Sequence, residues 1–209
     1  MKSKGTRYNS SRSRKTEGTS RLVGDNFFDI IWKSAEIADT KMNDLNQYYD
    51  EKYKEKPGLK SEDEATYKAI LYRELTESRD YRMITMESST FSKKEGVKGK
   101  KYDIWITKGE IYYILEVKRF GVSTKTDGLR GVNDKKGIYG DLMKLDTLIR
   151  TIGPRDTYGI AIGFFEGNDS ITLDDIESKI EDRVQEKLDK EPNLKLLICA
   201  GGKCRYVWE

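Results

Sequence analysis

The sequence predicts an α/β fold: a mixed central sheet flanked by helices, with an extra long helix at the N-terminal side. Three observations point to it. Segments of helical periodicity alternate with strand-length apolar segments along most of the chain. One of these, residues 158–165, is continuously apolar, as expected of a strand covered on both faces. Apolar residues make up only 36% of the chain, but they concentrate in 102–118, 158–165 and 194–200, which is enough for a core.

Taken in order, residues 25–56 read as one amphipathic helix. Phe28, Ile31, Ala35, Ala38, Met42, Leu45 and Tyr49 recur in alternating steps of three and four. Asp25 or Asn26 can cap its start, and Pro57-Gly58 ends it. Packing against its own domain and a coiled-coil seam are both open uses of that stripe. A core domain is expected over 60–209. Its first helix starts at Ser61, which forms a capping-box pattern with Glu64, and carries Tyr67, Ile70, Leu71 and Leu75 to about Ser78.

Strands are expected at 81–87, 101–107 and 111–118, followed by a loop rich in Gly, Lys and Asp. The next helix covers 139–152, with Leu142, Leu145, Ile149 and Ile152 on one side, and Gly153-Pro154 stops it. After the strand at 158–165, Thr172 caps one further helix carrying Ile176, Ile180, Val184 and Leu188. Strands at 194–200 and 204–208, joined by Gly201-Gly202, close the order.

Composition narrows the chemistry. There is no histidine, which removes Ser-His-Asp and Cys-His nucleophilic schemes and histidine-containing metal sites. The Gly-Gly turn would set Cys199 opposite Cys204; both are expected as reduced thiols of an intracellular, cytoplasmic protein, with a disulfide staple as the lesser reading. No apolar run approaches the ~20 residues of a membrane span, so no membrane partner is expected. The net charge of +3 is uneven: residues 1–21 hold Lys2, Lys4, Arg7, Arg12, Arg14, Lys15 and Arg21 against Glu17. Residues 1–24 therefore read as a basic arm too polar to order itself. Such an arm suits a polyanion such as DNA or RNA, or serves as a solubilising tail.

The chemistry concentrates in Tyr102-Asp103-Ile104-Trp105-Ile106 and Ile114-Leu115-Glu116-Val117-Lys118. If Gly109-Glu110 form the turn, Lys108 faces Ile111 and Asp103 falls opposite Glu116. Strand parity then sends Asp103, Glu116 and Lys118 to one side, at an open edge of the sheet and facing a solvent-filled cleft. Ile104, Ile106, Leu115 and Val117 point into the core. Two carboxylates about one strand apart can hold a hard divalent cation such as Mg²⁺ or Mn²⁺, leaving positions for water and phosphate. A lysine beside them can orient the attacking water or offset developing negative charge.

Asp103, followed by Glu116-Val117-Lys118 on a hydrophobic strand, resembles the PD-(D/E)xK nuclease superfamily, although Tyr102 stands where many members carry Pro. The resemblance implies a restriction-endonuclease-like αβββαβ core, running here from Ser61 to Phe165. It implies Asp103 and Glu116 as metal ligands, the Val117 backbone carbonyl as a further ligand, and Lys118 as the group assisting water. It also implies an acid from the helix before the sheet, for which Glu74 is the best match and Glu77 and Glu64 are alternatives. The expected activity is Mg²⁺-dependent hydrolysis of phosphodiester bonds, with DNA as the expected nucleic acid. Lys125, Arg130, Lys135, Lys136 and Lys144 are candidate phosphate contacts, and Asp141 reads as a first-turn acid favouring the helix dipole. Two other functions fit the sequence: a nucleic-acid-binding module with a weak or inactive site, and an assembly protein using the long helix, which also suits a homodimer.

Overall fold

The computed structural model of the chain describes residues 27–52, 64–87, 101–121, 132–153, 155–166 and 171–207. Six strands form one mixed sheet in sequence order. β1 (Met83–Met86), β2 (Ile104–Lys108) and β3 (Ile111–Gly121) are antiparallel neighbours. β4 (Thr157–Glu166) and β5 (Leu194–Ala200) continue parallel to β3, and β6 (Lys203–Val207) returns antiparallel to β5. One face is covered by α1 (Phe27–Lys52) and α2 (Glu64–Ser78). The other is covered by α3 (Ile138–Ile152), the short α4 (Leu173–Glu177) and α5 (Asp182–Lys190). The fold is α/β, as the alternation of periods predicts.

Each face has its own core, because strand side chains alternate. Ile104, Ile106, Leu115, Val117, Ile160, Ile162 and Phe164 lie under α1 and α2, with Tyr67 stacked on Phe164 at 4.3 Å. Ile114, Phe120, Ala161, Phe165, Leu196 and Ile198 lie under the other three helices. Each fully buried side chain of this size contributes about 1.5–3 kcal/mol. β4, between two parallel neighbours, is covered on both faces, which accounts for its unbroken apolar run. A Cβ at Gly163 of β4 would meet Ile138 Cδ1 at 2.7 Å, so this glycine lets the start of α3 seat directly on the sheet.

The apolar stripe of α1 is used inside the domain: Phe28, Ile31, Ala35, Ala38 and Met42 are buried against the sheet, and the burial stops before Leu45. The helix is pinned at its other edge by the last hairpin. Trp32 Nε1–H donates to the Cys204 carbonyl at 2.8 Å, and the Tyr206 hydroxyl donates to the Phe28 carbonyl at 3.1 Å. In return, the Gly202 and Cys204 amides donate to Asp39 Oδ2 at 2.7 Å and Glu36 Oε1 at 3.2 Å. Asp39 is fully buried, and its pKa rises to about 7. Burial is the main cause, opposed by the Gly202 amide and reinforced by the charge of Glu166.

Two expectations are corrected. The segment after Thr172 is two helices rather than one. Thr172 and Asp175 do form a capping box, but the helix stops at Glu177. The side chain of Asn133 takes over the backbone at the break, donating to the Lys179 carbonyl and accepting from the Glu181 amide. The cysteines are joined in a disulfide rather than reduced. Gly201 and Gly202 both adopt positive φ, +61° and +77°, as a tight hairpin turn requires. Cys199 and Cys204 are thereby paired in register with Cα atoms 4.1 Å apart, which brings the two sulfurs within bonding reach. Among the described residues, no helix is long and apolar enough to cross a membrane.

Candidate active site

The β2–β3 hairpin has the register that strand parity predicts, from Lys108↔Ile111 to Ile104↔Leu115. Gly109 supplies the positive φ of +59° at the turn. β2 begins at Ile104, and Asp103, one residue earlier, continues the contact with its side chain. Its Oδ2 accepts the Val117 amide hydrogen at 2.7 Å. In an antiparallel pair the N–H and C=O of one residue face the same neighbour, so the Val117 carbonyl is directed to the side where Asp103 stands.

Around this strand end, α2 and α3 bring further charges. Lys68 of α2 lies 2.8 Å from Asp103 Oδ1 and 2.9 Å from Glu64 Oε1. Glu64 Oε2 in turn lies 3.8 Å from Lys118 Nζ. On the α3 face, Lys144 Nζ lies 2.6 Å from Glu116 Oε1 as a close ion pair. Asp141, one turn before Lys144, feels Lys118 and Lys144 as well as Asp103 and Glu64.

These charges perturb one another. Burial pushes the Glu116 carboxyl up to about 7; Asp103 and Asp141 add to the rise and Lys144 opposes it. Burial likewise raises Asp141 to about 6, against the pull of Lys118 and Lys144. Burial works against the charge of Lys68, but its hydrogen bonds to Asp103 and Glu64 outweigh this and hold it above its ordinary value. Shifted carboxyls gathered at one point make this cluster a candidate functional site, although structural ion-pair networks shift carboxyls too.

The structure therefore brings Asp103, Glu116 and Lys118 together, though not as expected in every respect. They meet at a strand end between the first turns of two helices, and β3 is an interior strand rather than an edge. Glu116 is only 4% exposed and does not face a solvent-filled cleft, because the start of α3 closes over it; the Lys118 side chain is 34% exposed. Glu74 is not part of the cluster. It pairs with Lys41 of α1 at 2.5 Å, ten residues along α2 from Glu64, or ~15 Å at the helical rise. Glu64 takes the place expected of the helix acid.

Lys144 joins the site at Glu116, and Lys135 and Lys136 are exposed just before α3. Lys125, Arg130 and the basic arm lie outside the described residues. Lys68 and the half-buried Asp141 are the members of the cluster that the sequence did not point to. The signals were Glu64 and Lys68 at i,i+4 in the first turn of α2, and Asp141 and Lys144 at i,i+3 on one face of α3.

Among the described residues, no three Asp, Glu or Cys side chains stand together as a ready-made metal cage. The donor set of Asp103, Glu116 and a backbone carbonyl matches instead a cation that keeps several waters, as Mg²⁺ does. Glu116 Oε1, held by Lys144 at 2.6 Å, would have to exchange that ammonium group for the cation. No protein-family model matches the sequence, and no curated protein matches it.

Proposed function

We propose that this chain is a metal-dependent nuclease that hydrolyses phosphodiester bonds, with DNA as its substrate and a restriction-endonuclease-like core running from α2 to β4. The observation that carries the reading is the meeting of Asp103, Glu116 and Lys118 at the end of one hairpin, beside Glu64 of the preceding helix. Asp103, Glu116 and the Val117 carbonyl would hold Mg²⁺ or Mn²⁺. Such an ion supplies Lewis-acid polarisation of the phosphodiester and lowers the pKa of water.

The remaining work falls to the chain. Lys118, the most exposed cation of the β2–β3 motif, orients the attacking water and offsets the charge that grows on the phosphate oxygens. Glu64 lies against Lys118 and Lys68 and fixes where those ammonium groups point. The water oxygen bonds to phosphorus, the P–O bond to one sugar breaks, and the departing sugar oxygen takes up a proton.

Digestion of DNA by the full chain with Mg²⁺ or Mn²⁺ tests this, with Glu116→Gln and Lys118→Ala as variants. Each variant should lose most of the activity. More metal should restore part of the rate of Glu116→Gln, whereas the loss in Lys118→Ala, ~3 kcal/mol on the barrier, should persist. A second reading has one specific observation in its favour: Lys68 and Lys144 already sit on Asp103 and Glu116. A chain that never exchanged them for a metal would bind nucleic acid without cutting it. Calorimetry showing no Mg²⁺ or Mn²⁺ binding, with no cleavage, would establish that alternative.

A further inference from the structure

The two carboxylates that the proposed nuclease needs for its metal are each held by a lysine, and the two lysines come from opposite faces of the sheet. Lys68 reaches Asp103 from α2, and Lys144 reaches Glu116 from α3. Both side chains are largely covered, at 13% and 30% exposure, so they are built into the site and do not dangle at the surface. We propose that Lys68 and Lys144 are exchangeable counter-ions: they neutralise Asp103 and Glu116 in the metal-free chain and turn to the non-bridging oxygens of the substrate phosphodiester when a divalent cation takes those carboxylates. The proposal rests on the nuclease reading and adds an order of binding to it.

Charge balance is the reason. The cluster holds the carboxylates of Glu64, Asp103, Glu116 and Asp141 and the ammonium groups of Lys68, Lys118 and Lys144. Above the raised pKa values of Glu116 and Asp141, where every group is ionised, it carries one excess negative charge, which repels a phosphodiester. One dication turns this into one excess positive charge, and a single phosphodiester anion then neutralises the site. The lysines released by the cation are free to meet that anion from either side of Lys118, which lies beside Glu64 and Asp141. A lysine is suited to the exchange: its ammonium is a point charge on a flexible stem and satisfies a carboxylate or a phosphate equally well. The site therefore takes up metal before nucleic acid, and each strengthens the binding of the other.

The test reads the lysines directly. The wild-type chain is acylated briefly with an amine-reactive ester, and modification of Lys68 and Lys144 is measured by mass spectrometry. This is done in chelator, in Ca²⁺, and in Ca²⁺ with a short DNA oligonucleotide. Ca²⁺ is used because it takes carboxylate oxygens as Mg²⁺ does. Modification at both positions should rise in Ca²⁺ and fall again when the oligonucleotide is added. In parallel, Lys68→Met and Lys144→Met should bind the oligonucleotide at least about tenfold more weakly than wild type in Ca²⁺, the scale of one charge-assisted hydrogen bond. In chelator they should match wild type, whereas a merely structural defect would weaken binding in both conditions. If calorimetry shows Ca²⁺ binding that depends on Glu116 but labelling of the two lysines does not change, the exchange is wrong and the nuclease reading stands. If no divalent ion binds at all, both fall together.

Discussion

The side chain of Asp103 and the backbone of Val117 are joined by one hydrogen bond of 2.7 Å, so a proposed metal ligand also ends the β2–β3 ladder. Val117 is buried, so its amide depends largely on this acceptor. Asp103→Ala should therefore destabilise the chain by about 1–3 kcal/mol, the cost of an unsatisfied buried donor. Asp103→Asn keeps an oxygen acceptor and should keep most of that stability while losing the charge that binds a cation. Urea denaturation and Mg²⁺ calorimetry on the two variants separate these roles. Equal stability of Asp103→Ala and wild type would remove the structural one.

Glu64 and Glu74 lie on the same helix with different partners, and their substitution should have different effects. Glu64→Gln weakens the hold on Lys68 and Lys118 and should lower the cleavage rate with little loss of stability. Glu74→Gln breaks a pair with the half-exposed Lys41, which is worth at most about 1 kcal/mol, and should leave cleavage close to wild type. Cleavage kinetics on both variants decide the matter, and the reverse ranking would return Glu74 to the site.

Asp39 should make stability depend on pH. Its pKa in the folded chain, about 7, lies above the ordinary 3.8. Its contribution to stability is therefore complete below 3.8 and is lost as pH rises through about 7, because the buried carboxyl must then ionise. Asp39→Asn has no such group and keeps an oxygen for the Gly202 amide. Relative to wild type it should gain up to about 1.4 kcal/mol per pH unit across that interval. Unfolding free energies at pH 5 and pH 8 measure the difference; a pH-independent difference would show that Asp39 is not the group responsible.

Reduction of the Cys199–Cys204 disulfide should cost about 2 kcal/mol by the chain-entropy argument for so short a loop. The loss should appear first in α1, because Gly202 and Cys204 hold that helix through Asp39 and Glu36. Hydrogen exchange with and without dithiothreitol should show α1 amides losing protection while α3 amides keep theirs. Uniform loss across both helices would mean that the hairpin does not act locally on α1.

Much of the site is local and was legible in the sequence. The facing of Asp103, Glu116 and Lys118 depends only on a glycine turn and strand parity, both of which act over a few residues. The buried stripe of α1 up to Met42 and the cap at Thr172 are likewise properties of short windows. What was not legible depends on how helices lie across the sheet. Glu64 displaces Glu74 because the first turn of α2, and not its middle, passes the end of β2. Asp141 is half-buried, and Glu116 is covered, because Gly163 allows α3 to approach closely. The break before Glu181 is set by Asn133, nearly fifty residues away in sequence. The bond between the cysteines is a matter of oxidation state, on which residue order is silent.

The four hydrogen bonds between α1 and the last hairpin join positions 163 to 178 residues apart. During synthesis, α1 has no partner for its polar edge until the β5–β6 hairpin, which follows it in the chain, has left the ribosome. Until then its apolar stripe has nowhere to stay but on an incomplete sheet, where it is exposed to chaperones and to neighbouring chains. Contacts of this span also slow folding, because a long loop must close before they form. A nascent chain arrested before Lys203 should therefore carry a formed β2–β3 hairpin and an α1 that protease still reaches.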